Sequence, residues 1–215
     1  MMAFGRLKSA RVFFLIVALV NIGLLAWWWL SQDQILYESG PLENLQAAVL
    51  GVAFATFYVH GKKLEGTGRT AAVIFCFICF YVFFKEVDFR ELPVPDLVLS
   101  ITTGRIRKLL FWFFFLLVTV YIISRFTQIL KIMPAMLYWR AWPYYLWFAL
   151  IIFAELAEEV SRTYGNAFGS FAIPYGLLLE EMLEFNAYMV LLFISINFFE
   201  FGRFIYERAG GAQQK

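Results

Sequence analysis

Histidine is nearly absent from this chain: His60 is the only one in 215 residues. One imidazole at the end of an apolar run leaves histidine-built metal centres, bis-histidine haem ligation and Ser-His-Asp catalysis without material. Cysteine is almost as scarce. Cys76 and Cys79 have the spacing of a redox motif, but both fall inside one apolar run with no second pair to receive electrons, so they read as small packed side chains and imply no disulfide framework. Charge is thin at 16% of residues. The chain also lacks a phosphate-binding Gly-rich loop, a dinucleotide turn, a nucleic-acid signature, low-complexity stretches and an internal repeat.

What is abundant is apolar surface. Hydrophobic residues make up 62% and aromatic residues 20% of the chain, far above a soluble domain. A hydrocarbon core of roughly 30 Å takes about 20 apolar helical residues to cross. Six runs approach that length: residues 12–30, 45–59, 71–84, 109–124, 144–160 and 177–201, the second and third being short. The expected fold is an all-α integral membrane bundle of about six transmembrane helices in a single domain. Residues 85–108, with Pro93 and Pro95 breaking any helix, form an expected structured loop on the outer side. The first run follows Arg6, Lys8 and Arg11 but is too long for a signal-peptide core and reads as a retained helix.

Orientation follows from the basic residues. With the N-terminus inside, 12 of 18 lie in cytoplasmic segments, among them Lys62, Lys63, Arg69, Arg125, Lys131 and Arg140, and both termini are cytoplasmic. The acids sort the other way, with 13 of 16 on the outer half. The net charge of +2 conceals this polarity. Trp27 to Trp29 and the group Tyr138, Trp139, Trp142, Tyr144 and Tyr145 stand where interfacial aromatics are expected.

The carboxylates carry the chemical interest. Glu155, Glu158 and Glu159 stand at i, i+3 and i+4 and share one helix face. Counting from Tyr144 at about 1.5 Å per residue, Glu155 lies roughly 16 Å into the membrane. A charge there costs a few kcal/mol unless it is paired, protonated or set in a polar cavity. Glu180, Glu181 and Glu184 repeat the pattern at the outer end of the last run, with Asn186 one turn deeper. The short connection, residues 161–175, makes an antiparallel pair of these helices. An ordinary structural role is also open: Glu158 and Arg162 are an i, i+4 pair, and Glu180 and Glu181 follow Pro174 in what reads as a first turn, where acids favour the helix dipole.

Two further groups point outward. Lys85-Glu86-Val87-Asp88-Phe89-Arg90-Glu91 closes the third run, and Glu38-Ser39-Gly40-Pro41-Leu42-Glu43 sets Glu43 at a helix entrance. The Glu-x-Gly-Pro-x-Glu turn, the charged knot after the third run and the Glu-Glu-x-x-Glu of the last helix resemble those of bacterial multi-pass inner-membrane proteins of uncharacterised function. The resemblance implies location in the cytoplasmic membrane and no activity. Asn21 and Asn197 are expected as interhelical hydrogen-bonders.

Three functions fit the residues. The first is an outward-facing carboxylate site that binds or transports a cation, a proton or a cationic ligand, built on Glu155, Glu159, Glu181, Glu184, Glu86 and Asp88, and supported by Glu43, Glu158, Glu180, Asn186, Arg90 and Arg162. Such oxygen ligands suit divalent Mg, Ca or Mn. The second is an accessory or assembly subunit whose polar face meets a membrane partner. The third is an enzyme using those carboxylates on a lipid-linked substrate, with Arg90, Arg105 or Arg162 on phosphate. The bilayer is a partner in all three; nucleic acid is a partner in none.

Overall fold

The computed structural model describes residues 7–31, 40–87, 104–137, 141–168 and 172–200. All regular structure among them is helical: α1 (Leu7–Ser31), α2 (Pro41–Lys62), α3 (Gly66–Glu86), α4 (Gly104–Ser124), α5 (Phe126–Met136), α6 (Trp142–Phe168) and α7 (Ala172–Ile196).

Three helices are long and apolar enough to cross a membrane, over Ala10–Ser31, Pro41–Lys62 and Gly66–Lys85. A fourth span results if α4 and α5, bent by 75° where they meet, count as one. The second and third runs, short in the sequence, are thus of full length. Residues 41–44 and 60–62 extend α2, and residues 66–70 and 85–86 extend α3, beyond the apolar runs, with Thr67 and Thr70 buried. The helices α6 and α7 have 27 and 25 residues, length enough to cross, but each carries three glutamates and neither is among the apolar spans.

Two elements differ from expectation. α6 runs on to Phe168 and α7 begins at Ala172, so most of the expected connection is helix. Pro174 sits at the third position of α7, where a missing N–H costs no helical bond. Glu180 and Glu181 therefore lie two turns inside the helix, and no acid occupies its first turn, which removes the helix-dipole account of them. α5 was not expected at all. Arg125 makes the joint: its N–H donates to Tyr121 O at 3.0 Å and Ile122 O at 3.2 Å, ending α4, while its carbonyl accepts from Gln128 and Ile129, starting α5. The Ser124 hydroxyl takes Tyr121 O at 2.7 Å, competing with the ladder where it breaks. Of the expected outer loop, Lys85–Glu86 end α3 and residues 104–108 begin α4; residues 88–103 lie outside those described.

By contacts the chain divides into two compact units, with the boundary inside α2 after Val49. The first holds α1, the start of α2, α6 and α7; the second holds the rest of α2 with α3, α4, α5 and residue 198 onward. In the second, Phe57 stacks on Phe75 at 5.1 Å and meets Phe198 edge-on at 5.0 Å, around a core that includes the buried Cys79. Both cysteines are free, as packed side chains should be. α4 turns Leu109, Trp112, Phe113, Leu116, Leu117, Val120 and Ile123 outward, an apolar surface that water would not tolerate and lipid would.

Gly61 permits a close approach of α2 to α3, since a Cβ there would stand 2.7 Å from Ala72 Cβ. Gly51, on the same helix, has nothing within 4 Å. Gly61→Ala should lower the thermal stability of the detergent-purified protein by about 1–3 kcal/mol through overpacking. Gly51→Ala should leave it unchanged or raise it by up to about 1 kcal/mol, since alanine is the better helix former.

Candidate functional site: a polar seam on α7

The first unit is organised along α7. Only three residues separate α6 from α7, and Ser161 stands opposite Gly176, where a Cβ would lie 2.7 Å from Ser161 Cβ. That register in a helical hairpin brings Glu158 level with Leu179 and Glu155 level with Met182. α1 lies antiparallel to α7: Phe13 meets Phe193 at 4.7 Å, and Asn21 meets Asn186. Trp142, at the start of α6, closes an aromatic cluster with Phe14 (5.7 Å) and Phe193 (6.3 Å). Trp142 and the buried Tyr144 are therefore packing residues more than lipid anchors, while Tyr145 is exposed. Tyr138 and Trp139 lie outside the described residues.

Halfway along, Asn21 and Asn186 exchange hydrogen bonds through both amides, Nδ2 of Asn21 to Oδ1 of Asn186 at 2.8 Å and the reverse at 3.0 Å. Each also donates to its own helix, to Val17 O and Met182 O. Asn197 differs from its expected role: it donates to Phe193 O of its own last turn, a local bond that ties no second helix.

Five residues from Asn186, about 7–8 Å along the helix, Glu181 receives Gln46 of α2. Gln46 Nε2 donates to Glu181 Oε2 at 3.0 Å and to Glu181 O at 3.2 Å. The amide is fully buried, and its Oε1 accepts no hydrogen bond from the described residues. Turning the amide over would not help, since both Glu181 oxygens are acceptors when the carboxylate is ionised. Glu184, one turn back from Glu181 towards Asn186, is buried at 9% exposure. Burying an ionised carboxylate is costly unless it is paired.

The six glutamates are thus divided. On α6, Glu158 pairs with Arg162, Glu159 lies 3.5 Å from the same guanidinium and accepts from Thr163 Oγ1, and Glu155 is exposed one turn earlier. Arg162 and Glu159 are both 66% exposed at the side chain, so this group is a surface network along one helix. On α7, Glu184 is buried, Glu180 and Glu181 are half-buried, and Glu181 meets the buried Gln46. Glu43 sits in the first turn of α2, as expected of a helix entrance. Glu86 closes α3 in the other unit, and Asp88 and Arg90 lie outside the described residues. Among the described residues, no group of three or more His, Cys, Asp or Glu is arranged to hold a metal ion.

Gln46 escaped the sequence reading. Its signal was its place in the buried stripe Leu42, Gln46, Val49, Leu50, Ala53 and Phe57 of α2, where an amide is out of character and must find a partner.

No protein-family model, curated protein or solved structure matches this chain. Its class is set by its helices alone: a helical protein with several segments long and apolar enough to cross a membrane.

A double-mutant cycle on Asn21→Leu and Asn186→Leu, read by thermal unfolding in detergent, should give a coupling of about 0.6–2 kcal/mol for the amide pair. Arg162→Ala should shift stability by less than about 1 kcal/mol, because its partners are exposed.

Proposed function

We propose that the chain is a six-span protein of a bacterial inner membrane, with both termini cytoplasmic, whose α7 carboxylates bind a proton or a cation from the outer side. The lengths of α6 and α7 support the two additional spans. The segregation of 12 of 18 basic residues to one side supports the orientation.

The observation that carries the function is the Gln46–Glu181 contact. It sets the half-buried Glu181 carboxylate beside the fully buried Gln46 amide, whose oxygen accepts no hydrogen bond from the described residues, with the buried Glu184 one turn away. All are acceptors, and the complement of acceptors in a low-dielectric site is a proton or a positive charge. Asn186 and Asn21 continue the polar face toward the middle of α1, the direction a transported ion would take. This assigns Glu181 and Glu184 the binding role, with Gln46 positioning Glu181; Glu155 and Glu159 flank the site from the surface of α6.

One observation favours a second reading, a membrane partner. Glu155 is exposed among the exposed Ile152, Phe153 and Leu156, a carboxylate on an otherwise lipid-like face that a partner subunit would cover.

The test is thermal unfolding across pH and across Mg, Ca and organic-cation titrations, for wild type, Glu184→Gln and Gln46→Leu. A cation at 100 times its dissociation constant should stabilise wild type by about 2.7 kcal/mol. Both variants should lose that rise while still folding. No response in wild type, with variants as stable as wild type, would make the seam a structural network and favour the partner-subunit reading.

A further inference from the structure

The second unit contains a cavity of about 440 Å³ lined by Arg69 and Thr70 of α3, Tyr121 of α4, Arg125 at the α4–α5 joint, and Glu65 and Gly66 at the entrance to α3. We propose that this cavity binds a phosphate group at the membrane surface, held between the guanidiniums of Arg69 and Arg125.

Charge supports it first. Neither arginine is ion-paired with a carboxylate among the described residues, and Glu65, the one acid in the lining, makes no cap for α3. The backbone supports it second. α3 begins at Gly66, whose φ of 53° only glycine adopts cheaply, after an extended Glu65. The first turn has no acid and no side-chain cap, and its nearest backbone bond, Arg69 N–H to Glu65 O, is a long 3.5 Å. The positive end of α3 thus opens on the cavity beside both guanidiniums, the donor arrangement that anions occupy. Thr70 fixes the floor: it is buried, and its hydroxyl meets Gln128 Oε1 at 2.6 Å, fastening α5 to α3.

The bend supplies the location. α4 is a span candidate only together with α5, and the 75° turn at Arg125 sends α5 sideways from it. α5 exposes Phe126, Leu130 and Met133 along one stripe, with Leu137 just past its end and Lys131 also exposed, the pattern of a helix lying in the interface plane. Arg125 then stands at headgroup level. Lys62 and Lys63, at the other end of the α2–α3 turn, add to the basic surface there.

A lipid headgroup and a free phosphate share this chemistry, so the experiment carries both. The delipidated full-length protein in detergent would be offered phosphatidylglycerol, diacylglycerol or inorganic phosphate, with retained lipid read by native mass spectrometry and phosphate by thermal shift. Wild type should retain phosphatidylglycerol and not diacylglycerol. Arg69→Gln and Arg125→Gln should each reduce retention about tenfold, while Lys131→Gln, outside the cavity, should not. Retention unaffected by inorganic phosphate identifies the lipid as the source; displacement by phosphate, with a thermal shift, identifies a soluble phosphate compound. Equal retention of diacylglycerol, equal retention by the arginine variants, or no binding of either phosphate source by wild type would overturn the proposal. The comparison of the two lipids on wild type decides even if an arginine variant fails to fold.

Discussion

A carboxylate on a helix otherwise built for lipid must be paired, protonated or covered, and the first unit is arranged around that requirement. α7 carries the burden. Its inward face takes Gln46 from α2 and Asn21 from α1, so the two helices that contact it through side-chain amides are held by the same polar seam. The Asn pair is closed, with each amide donating twice. The Gln46–Glu181 pair is open, with one buried oxygen left over. In a buried network an incomplete member is the costly one, which is why the open pair, rather than the closed one, is the place to look for a ligand.

The same requirement separates the two helices of the hairpin. α6 satisfies Glu158 and Glu159 along its own surface with Arg162 and Thr163, at solvent-exposed positions where such pairs contribute little. α7 has no cation of its own to use, so it reaches across to neighbouring helices. In the second unit the constraint is different: a single residue, Arg125, ends one helix and starts the next, and the break makes a bent pair whose joint lines a basic cavity with the start of α3.

Much of the architecture was legible in the amino-acid sequence because its signals are long. Runs of apolar residues gave the helical class and placed all of the apolar span candidates. The polar ends of α2 and α3 were less legible: Glu43 and Asn44 before the second run and His60 and Lys62 after it, and Thr67, Arg69 and Thr70 before the third, made these helices look short, although a few polar groups leave a helix intact. The break at Arg125 was invisible to hydropathy, because it depends on Ser124 competing for a carbonyl and on the Thr70 hydroxyl donating to Gln128. For the candidate site, periodicity identified both glutamate faces but not their different fates, since i, i+3, i+4 spacing is the same on α6 and α7. Only the partner distinguishes them: Arg162 four residues from Glu158 on one helix, and Gln46, 135 positions away from Glu181, on the other.

The central claim is that the α7 seam is a site whose protonation or occupancy changes, rather than a fixed network. Infrared difference spectroscopy on the protein in bilayers, comparing wild type with Glu184→Gln while pH or cation concentration is stepped from the outer side, tests it most directly. The account predicts a carboxyl band that changes with the step in wild type and is missing from the variant. Identical difference spectra for the two proteins, or no carboxyl response in wild type, would contradict it.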